Sequence, residues 1–209
     1  MKGAIRNIPL YLTVITLLFS SSVSISASGL NCASMPYPVF HKGMSYVTWS
    51  REGFATASSD KSLFMMRKCG VESVAIIVTW YQDLYNSTEI RATDRTPSDK
   101  SVRHVIKKAR EYGMKVLLKP HIDIISGGEN SRSDIGFHAS EKWDKWFTSY
   151  MAFITHYARI ARDEDVEFFC VGTELAFASR QEGFWRDRVI RGVRAVFKGQ
   201  ITYAANWDE

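Results

Sequence analysis

Residues 73–80 (SVAIIVTW) are apolar at nearly every position and rich in β-branched side chains. Only a strand covered on both faces sustains such a run. Strands of that kind belong to parallel sheets, whose crossovers are helices packed on the faces. The rest of the chain from residue 41 repeats the pattern. Short apolar runs at residues 43–49, 115–120, 166–172 and 200–205 alternate with amphipathic segments, so the spacing predicts five βα-type strands. Between them, Ser59 or Asp60 is expected to open a helix running to Cys69 with Leu63, Phe64 and Met66 inward, and Gly70 to stop it. Thr96 is the expected N-cap of the next helix, with Pro97 in its first turn and Asp99 as capping acid. The longest helix starts at Ser140 and turns Trp143, Trp146, Phe147, Tyr150, Phe153, Ile154, Tyr157 and Ile160 to one side. That stripe is expected to be core. Another helix begins at Trp185 and ends before Gly199.

The N-terminus has a different plan. Lys2 and Arg6 precede an apolar run from Ile8 to Phe19 and then a Ser- and Ala-rich stretch, as in a secretory signal peptide. Residues 1–28 are therefore expected to be a cleaved leader, residues 29–40 a linker, and residues 41–209 the folded domain. Export to the periplasm or outside the cell follows, with an uncleaved anchor as the alternative and no stable membrane insertion after cleavage. The net charge of +5 is spread as alternating signs along helices rather than gathered in a block, which argues against a nucleic-acid surface. Cys32, Cys69 and Cys170 have neither CxxC nor metal-ligand spacing, and Cys69 and Cys170 read as small buried hydrophobes. No metal set or cofactor is indicated.

Each predicted strand ends on groups suited to sugars: Trp49; Trp80 with Tyr81, Gln82 and Asp83; Lys119 with His121 and Asp123; Glu174; and Asn206 with Trp207 and Asp208. Rings cover the apolar faces of pyranoses, and carboxylates and amides bind hydroxyls. For any single residue, packing is the alternative reading; five strand ends together point to a carbohydrate site on the face where parallel barrels place their chemistry. Glu174 lies just past the apolar run 166–172, beside Leu175 and Phe177, where desolvation would suit a general acid. Its alternative is a helix-capping role or a pair with Arg180. The Gly- and Ser-rich loop 126–139 is long for a βα connection, and such loops often carry function.

The motifs KGMSYVTW (42–49), TWYQ (79–82), KVLLKPHID (115–123), FFCVGTEL (168–175), Trp185-Arg186 and ITYAANWDE (201–209) resemble glycoside hydrolase family 113. That resemblance implies a secreted (β/α)8 TIM barrel of clan A and a retaining β-glycosidase, directed at β-1,4-mannan. It implies Glu174 as general acid/base, with Trp49, Trp80, Lys119, His121, Asp123, Asn206 and Trp207 lining the substrate cleft. Thr173 stands where most clan A enzymes carry Asn before the acid. The family nucleophile follows the seventh strand, whereas this chain stops after the fifth, so the barrel is expected to be truncated, the nucleophile absent and the chain inactive alone. Glu209 follows the wrong strand for that role. A non-catalytic carbohydrate-binding or scaffold protein on a barrel remnant is the alternative function. Oligomeric state is not legible.

Overall fold

The computed structural model describes residues 41–126 and 128–209. The expected leader (1–28) and linker (29–40) lie outside the described residues. Five strands, β1 (Gly43–Val47), β2 (Ser73–Gln82), β3 (Lys115–Ile124), β4 (Phe168–Thr173) and β5 (Gln200–Ala204), form one sheet in the order of the sequence. All neighbours pair in parallel, as the β-branched runs require.

Helices α1 (Ala57–Lys68), α2 (Asp99–Glu111) and α3 (Ser140–Asp163) cover one face. The last connection is broken into α4 (Ala176–Ser179), α5 (Glu182–Phe184), a π-helical stretch (Trp185–Ile190) and α6 (Arg191–Val196). Alternation along β2 sends Val74, Ile76 and Val78 into the helix layer, where each is fully buried. On β3, Val116, Leu118 and Ile122 do the same. The α3 stripe is core as expected: Trp146, Phe147, Tyr150, Phe153, Ile154 and Tyr157 are all buried.

Polar groups fasten this layer at fixed points. Gln82 is buried; its carbonyl oxygen accepts from Trp146 Nε1 at 2.8 Å and its amide donates to the Leu84 carbonyl at 2.7 Å. The Tyr150 hydroxyl donates to the Val171 carbonyl at 2.6 Å, joining α3 to β4, and burial pushes its pKa well above the usual tyrosine value.

Several local expectations shift. Thr56 caps α1, accepting from the Ser59 amide at 3.1 Å, so the helix begins earlier than expected. Phe64, expected inward, points away from the core side of α1, 43% exposed and edge-on to Tyr112. Ser98, not Thr96, caps α2 by accepting from Ser101. Thr96 instead turns inward and donates to the Thr79 carbonyl. Cys170 is buried, but Cys69 at the end of α1 is exposed, and both are free thiols.

Candidate active site

Because side chains alternate, the sheet's second face carries the odd-numbered residues of β2 and β3. The register sets Ile77 beside Lys119, Thr79 beside His121 and Tyr81 beside Asp123. The strand β3 runs on to Ile124, so His121 and Asp123 stand within it, on the same face as Lys119, rather than beyond its end. Trp80 points the other way. Its indole Nε1 donates to the Tyr157 hydroxyl at 3.0 Å and its ring tilts against Phe153 and His156. It belongs to the helix layer and does not join the other candidates, because one step along a strand reverses the face. Tyr81, its neighbour, is the aromatic on the site face.

The strand β4 ends in an irregularity. Pairing with β5 slips between Cys170 and Thr173. At Gly172 a Cβ would lie 2.7 Å from both Trp185 and Tyr203, so only glycine lets those rings close over the strand. Immediately after, Glu174 takes a left-handed backbone, with φ of 52°. Its amide donates to the Ala204 carbonyl at 2.8 Å, and the next amide, Leu175, donates to the Tyr203 hydroxyl at 2.8 Å. A strained conformation in a non-glycine residue persists only where its surroundings over-determine it. Here β5 supplies that restraint.

The Glu174 carboxylate is held by Arg132, a residue that the strand-end reading did not single out. Arg132 sits on a short 3-10 turn after β3, opened by a Ser131–Asp134 capping box. Its Nη1 donates to Glu174 Oε2 at 2.8 Å, its Nε to the Ile122 carbonyl at 2.9 Å, and its Nη2 to Asp123 Oδ1. One guanidinium thus joins the ends of β3 and β4. The expected alternative partner, Arg180, instead lies over the Phe177 ring at 5.4 Å.

His121 sits behind this bridge. Burial, with help from the positive charges of Arg132 and Lys119, lowers its pKa to about 3, so the imidazole is neutral at ordinary pH. Its Nε2 and the Tyr81 hydroxyl are buried polar atoms without a hydrogen-bond partner among the described residues. Groups in that state are costly unless something polar arrives to satisfy them. The remaining candidates are peripheral: Trp49 is 57% exposed and Trp207 95% exposed. Asn206 donates its backbone amide to Glu209 Oε2 at 3.1 Å, and the Tyr203 hydroxyl donates to the other oxygen of that carboxylate. No group of three or more potential metal ligands occurs among the described residues, and no described helix is long and apolar enough to cross a membrane.

A family model for Glycoside Hydrolase Family 113 matches residues 44–209. Among solved structures, a GH113 β-1,4-mannanase in a complex is similar at 33% identity and a TM-score of 0.75, over 79% of this chain and 55% of that one. A second GH113 β-1,4-mannanase structure is 31% identical, with a TM-score of 0.73. The GH113 β-mannanase AaManA from Alicyclobacillus acidocaldarius, in complex with ManMIm, is 27% identical with a TM-score of 0.75 and covers 81% of this chain and 55% of that one. The chain therefore spans about half the length of the solved proteins it matches. A comparison with curated proteins gave no match.

Proposed function

The chain belongs to glycoside hydrolase family 113, and on that premise we propose that Glu174 is the general acid/base of a retaining β-glycosidase acting on β-1,4-mannan. The observation that carries the reading is the position of Glu174: directly after β4, its backbone pinned to β5 and its carboxylate turned toward the end of β3. In a retaining reaction this carboxyl first gives its proton to the leaving glycosidic oxygen and then, as a carboxylate, takes one from the attacking water. The unpartnered His121 Nε2 and Tyr81 hydroxyl on the same face are suited to sugar hydroxyls. Lys119 and Asp123 stand beside them. The mannan assignment is supported by the β-1,4-mannanases that share the fold at about one-third identity.

The reaction also needs a second carboxylate to attack the anomeric carbon. Asp123, the other acid bound by Arg132, lies on β3 and is tied up in that bridge. The proposal therefore takes the nucleophile from polypeptide other than residues 41–209, and it takes the working enzyme to be exported, on the strength of the leader-like residues 1–28. The test is hydrolysis of mannan and of an aryl β-mannoside by the 209-residue chain and by the product of the complete reading frame, each with and without Glu174→Gln. The expectation is no turnover by the chain alone, and a 10²- to 10⁴-fold loss on mannan from Glu174→Gln in the complete enzyme, the usual worth of a general acid. Robust turnover by the 209-residue chain, or an unaffected Glu174→Gln enzyme, would sink the reading. A second reading, a carbohydrate-binding protein without catalysis, draws on the Arg132 bridge, which engages the same carboxylate. It predicts that Glu174→Gln leaves oligosaccharide affinity intact while the complete product hydrolyses nothing.

A further inference from the structure

Of the chain's five asparagines, Asn86 alone is followed two residues on by a hydroxyl, in Asn86-Ser87-Thr88. Oligosaccharyltransferases read that triplet on the surface loops of exported proteins. The triplet is short, and asparagine is in any case favoured in turns, so its surroundings decide what it can do. Residues 83–90 form a loop off the C-terminal end of β2. Two backbone hydrogen bonds between Tyr81 and Arg91, at 2.8 and 2.9 Å, close its neck, and the Arg91 guanidinium donates to Asp83 at 2.7 Å. The Ile90 amide donates to the Ser149 hydroxyl at 2.8 Å, which anchors the loop to α3. At the tip the chain turns tightly: the Ser87 amide donates to the Leu84 carbonyl at 2.9 Å, and the Leu84 amide to Ser87 Oγ at 3.1 Å. Asn86 is the third residue of that turn and is exposed. Neither its side-chain amide nor the Thr88 hydroxyl makes a hydrogen bond to another of the described residues. Beside it Leu84 and Tyr85 are 44% and 38% exposed, and a sugar attached at Asn86 has their apolar surface to rest on.

We propose that Asn86, once the chain is exported, is the acceptor of a covalently attached N-linked glycan. The co-substrate is an oligosaccharide carried on a lipid pyrophosphate. The Asn86 side-chain nitrogen forms a bond to its anomeric carbon, and the bond from that carbon to the pyrophosphate oxygen breaks. The lipid pyrophosphate leaves with the electron pair and takes up the proton that the amide sheds. A turn held from below by its neck and free at its tip can carry such a bulk without disturbing the packed layer, because no described residue has to give up a hydrogen bond to Asn86. Asparagine's fitness for turns accounts for Asn86 itself but not for a free hydroxyl two residues further on. The glycan then stands at the end of the sheet where Glu174 lies, on the connection after β2. The inference rests on export of the chain and not on its being a glycosidase.

The test is expression of the full chain in yeast, once with its own N-terminus as the only leader and once behind a host secretion leader, with medium and cell extract both read. Behind the host leader the protein should run as a heavier species that peptide N-glycosidase collapses to the size of the same chain made in bacteria. Peptide mapping should find the aspartate left by that enzyme at position 86. Asn86→Gln and Thr88→Ala should each abolish the shift, Thr88→Ser should keep it, and Asn130→Gln, at an asparagine with no hydroxyl two residues on, should leave it unchanged. The glycosylated protein should melt cooperatively. Absence of the shift behind the host leader would overturn the proposal, as would a shift that survives in Asn86→Gln or a glycan confined to protein that does not melt cooperatively. A shift behind the host leader and none with the chain's own N-terminus keeps Asn86 as an acceptor and removes the leader reading of residues 1–28. Hydrolysis of mannan is not read, so the enzymatic reading stands or falls separately.

Discussion

Arg132→Ala isolates the bridge between the ends of β3 and β4. The substitution removes three donated hydrogen bonds, two of them to carboxylates. Charge-assisted bonds contribute roughly 1.5–3 kcal/mol when well shielded. Here the Arg132 side chain is 20% exposed, Asp123 32% and Glu174 38%, so water screens each pair to about 1 kcal/mol. Adding roughly 0.5 kcal/mol for the Ile122 carbonyl gives about 2–3 kcal/mol in all. For a domain of this size that corresponds to a fall of roughly 4–12 °C in melting temperature. The decisive measurement is a double-mutant cycle. Glu174→Gln, Arg132→Ala and the double variant are melted side by side, and the double variant should be less destabilised than the sum by about 1 kcal/mol, because its second substitution has no partner left to lose. Strict additivity, or an Arg132→Ala protein that melts within 1 °C of the parent, would refute the bridge as a determinant of how Glu174 is held.

Other consequences are equally direct. The neutral His121 makes stability depend on pH: its folded pKa is about 3 against an ordinary 6.5, so the unfolded chain binds a proton that the folded one refuses. The contribution is fully present above about pH 6.5 and is lost as pH falls toward 3, at up to about 1.4 kcal/mol per pH unit; urea titrations at pH 7 and pH 5 should show His121→Asn flattening that slope, and an unchanged slope would contradict it. Gly172→Ala should cost about 1–3 kcal/mol, since the new methyl would lie 2.7 Å from Trp185 and Tyr203; a melting temperature equal to the parent's would show that those rings yield freely. Gln82→Ala should cost about 2 kcal/mol, because it strands the buried Trp146 indole N–H, and denaturant unfolding would show no loss if that hydrogen bond were dispensable.

What the sequence showed depended on the physics of each signal. The short apolar runs identified all five strands, most plainly the β-branched β2, while β1 and β5 at the sheet edges are more exposed, and the α3 stripe of aromatics was equally plain. Caps were less legible: the α2 region offers Thr96 and Ser98 two residues apart, and a buried bond to the Thr79 carbonyl, invisible locally, takes Thr96 out of the helix. The position of Glu174 directly after β4 was legible because a carboxylate after an apolar run is exceptional. Trp80 was misplaced because strand ends are uncertain by a residue or two while faces alternate at every residue, and its neighbour Tyr81 occupies the site face instead. Arg132 was hidden because it sits in a loop without periodicity, and its partners are nine residues before it and 42 after. The only local hint was the Ser131–Asp134 box that turns the chain there.

The amide of Glu174 is received by a carbonyl near the end of β5. The acid therefore cannot be regarded as the property of the βα unit that encodes it. Its backbone posture depends on the following unit and its side-chain posture on the preceding one, so the smallest heritable module that preserves this carboxyl is a run of three consecutive units. A duplication, graft or permutation with a boundary between α3 and β5 would carry the residue across and leave its geometry behind.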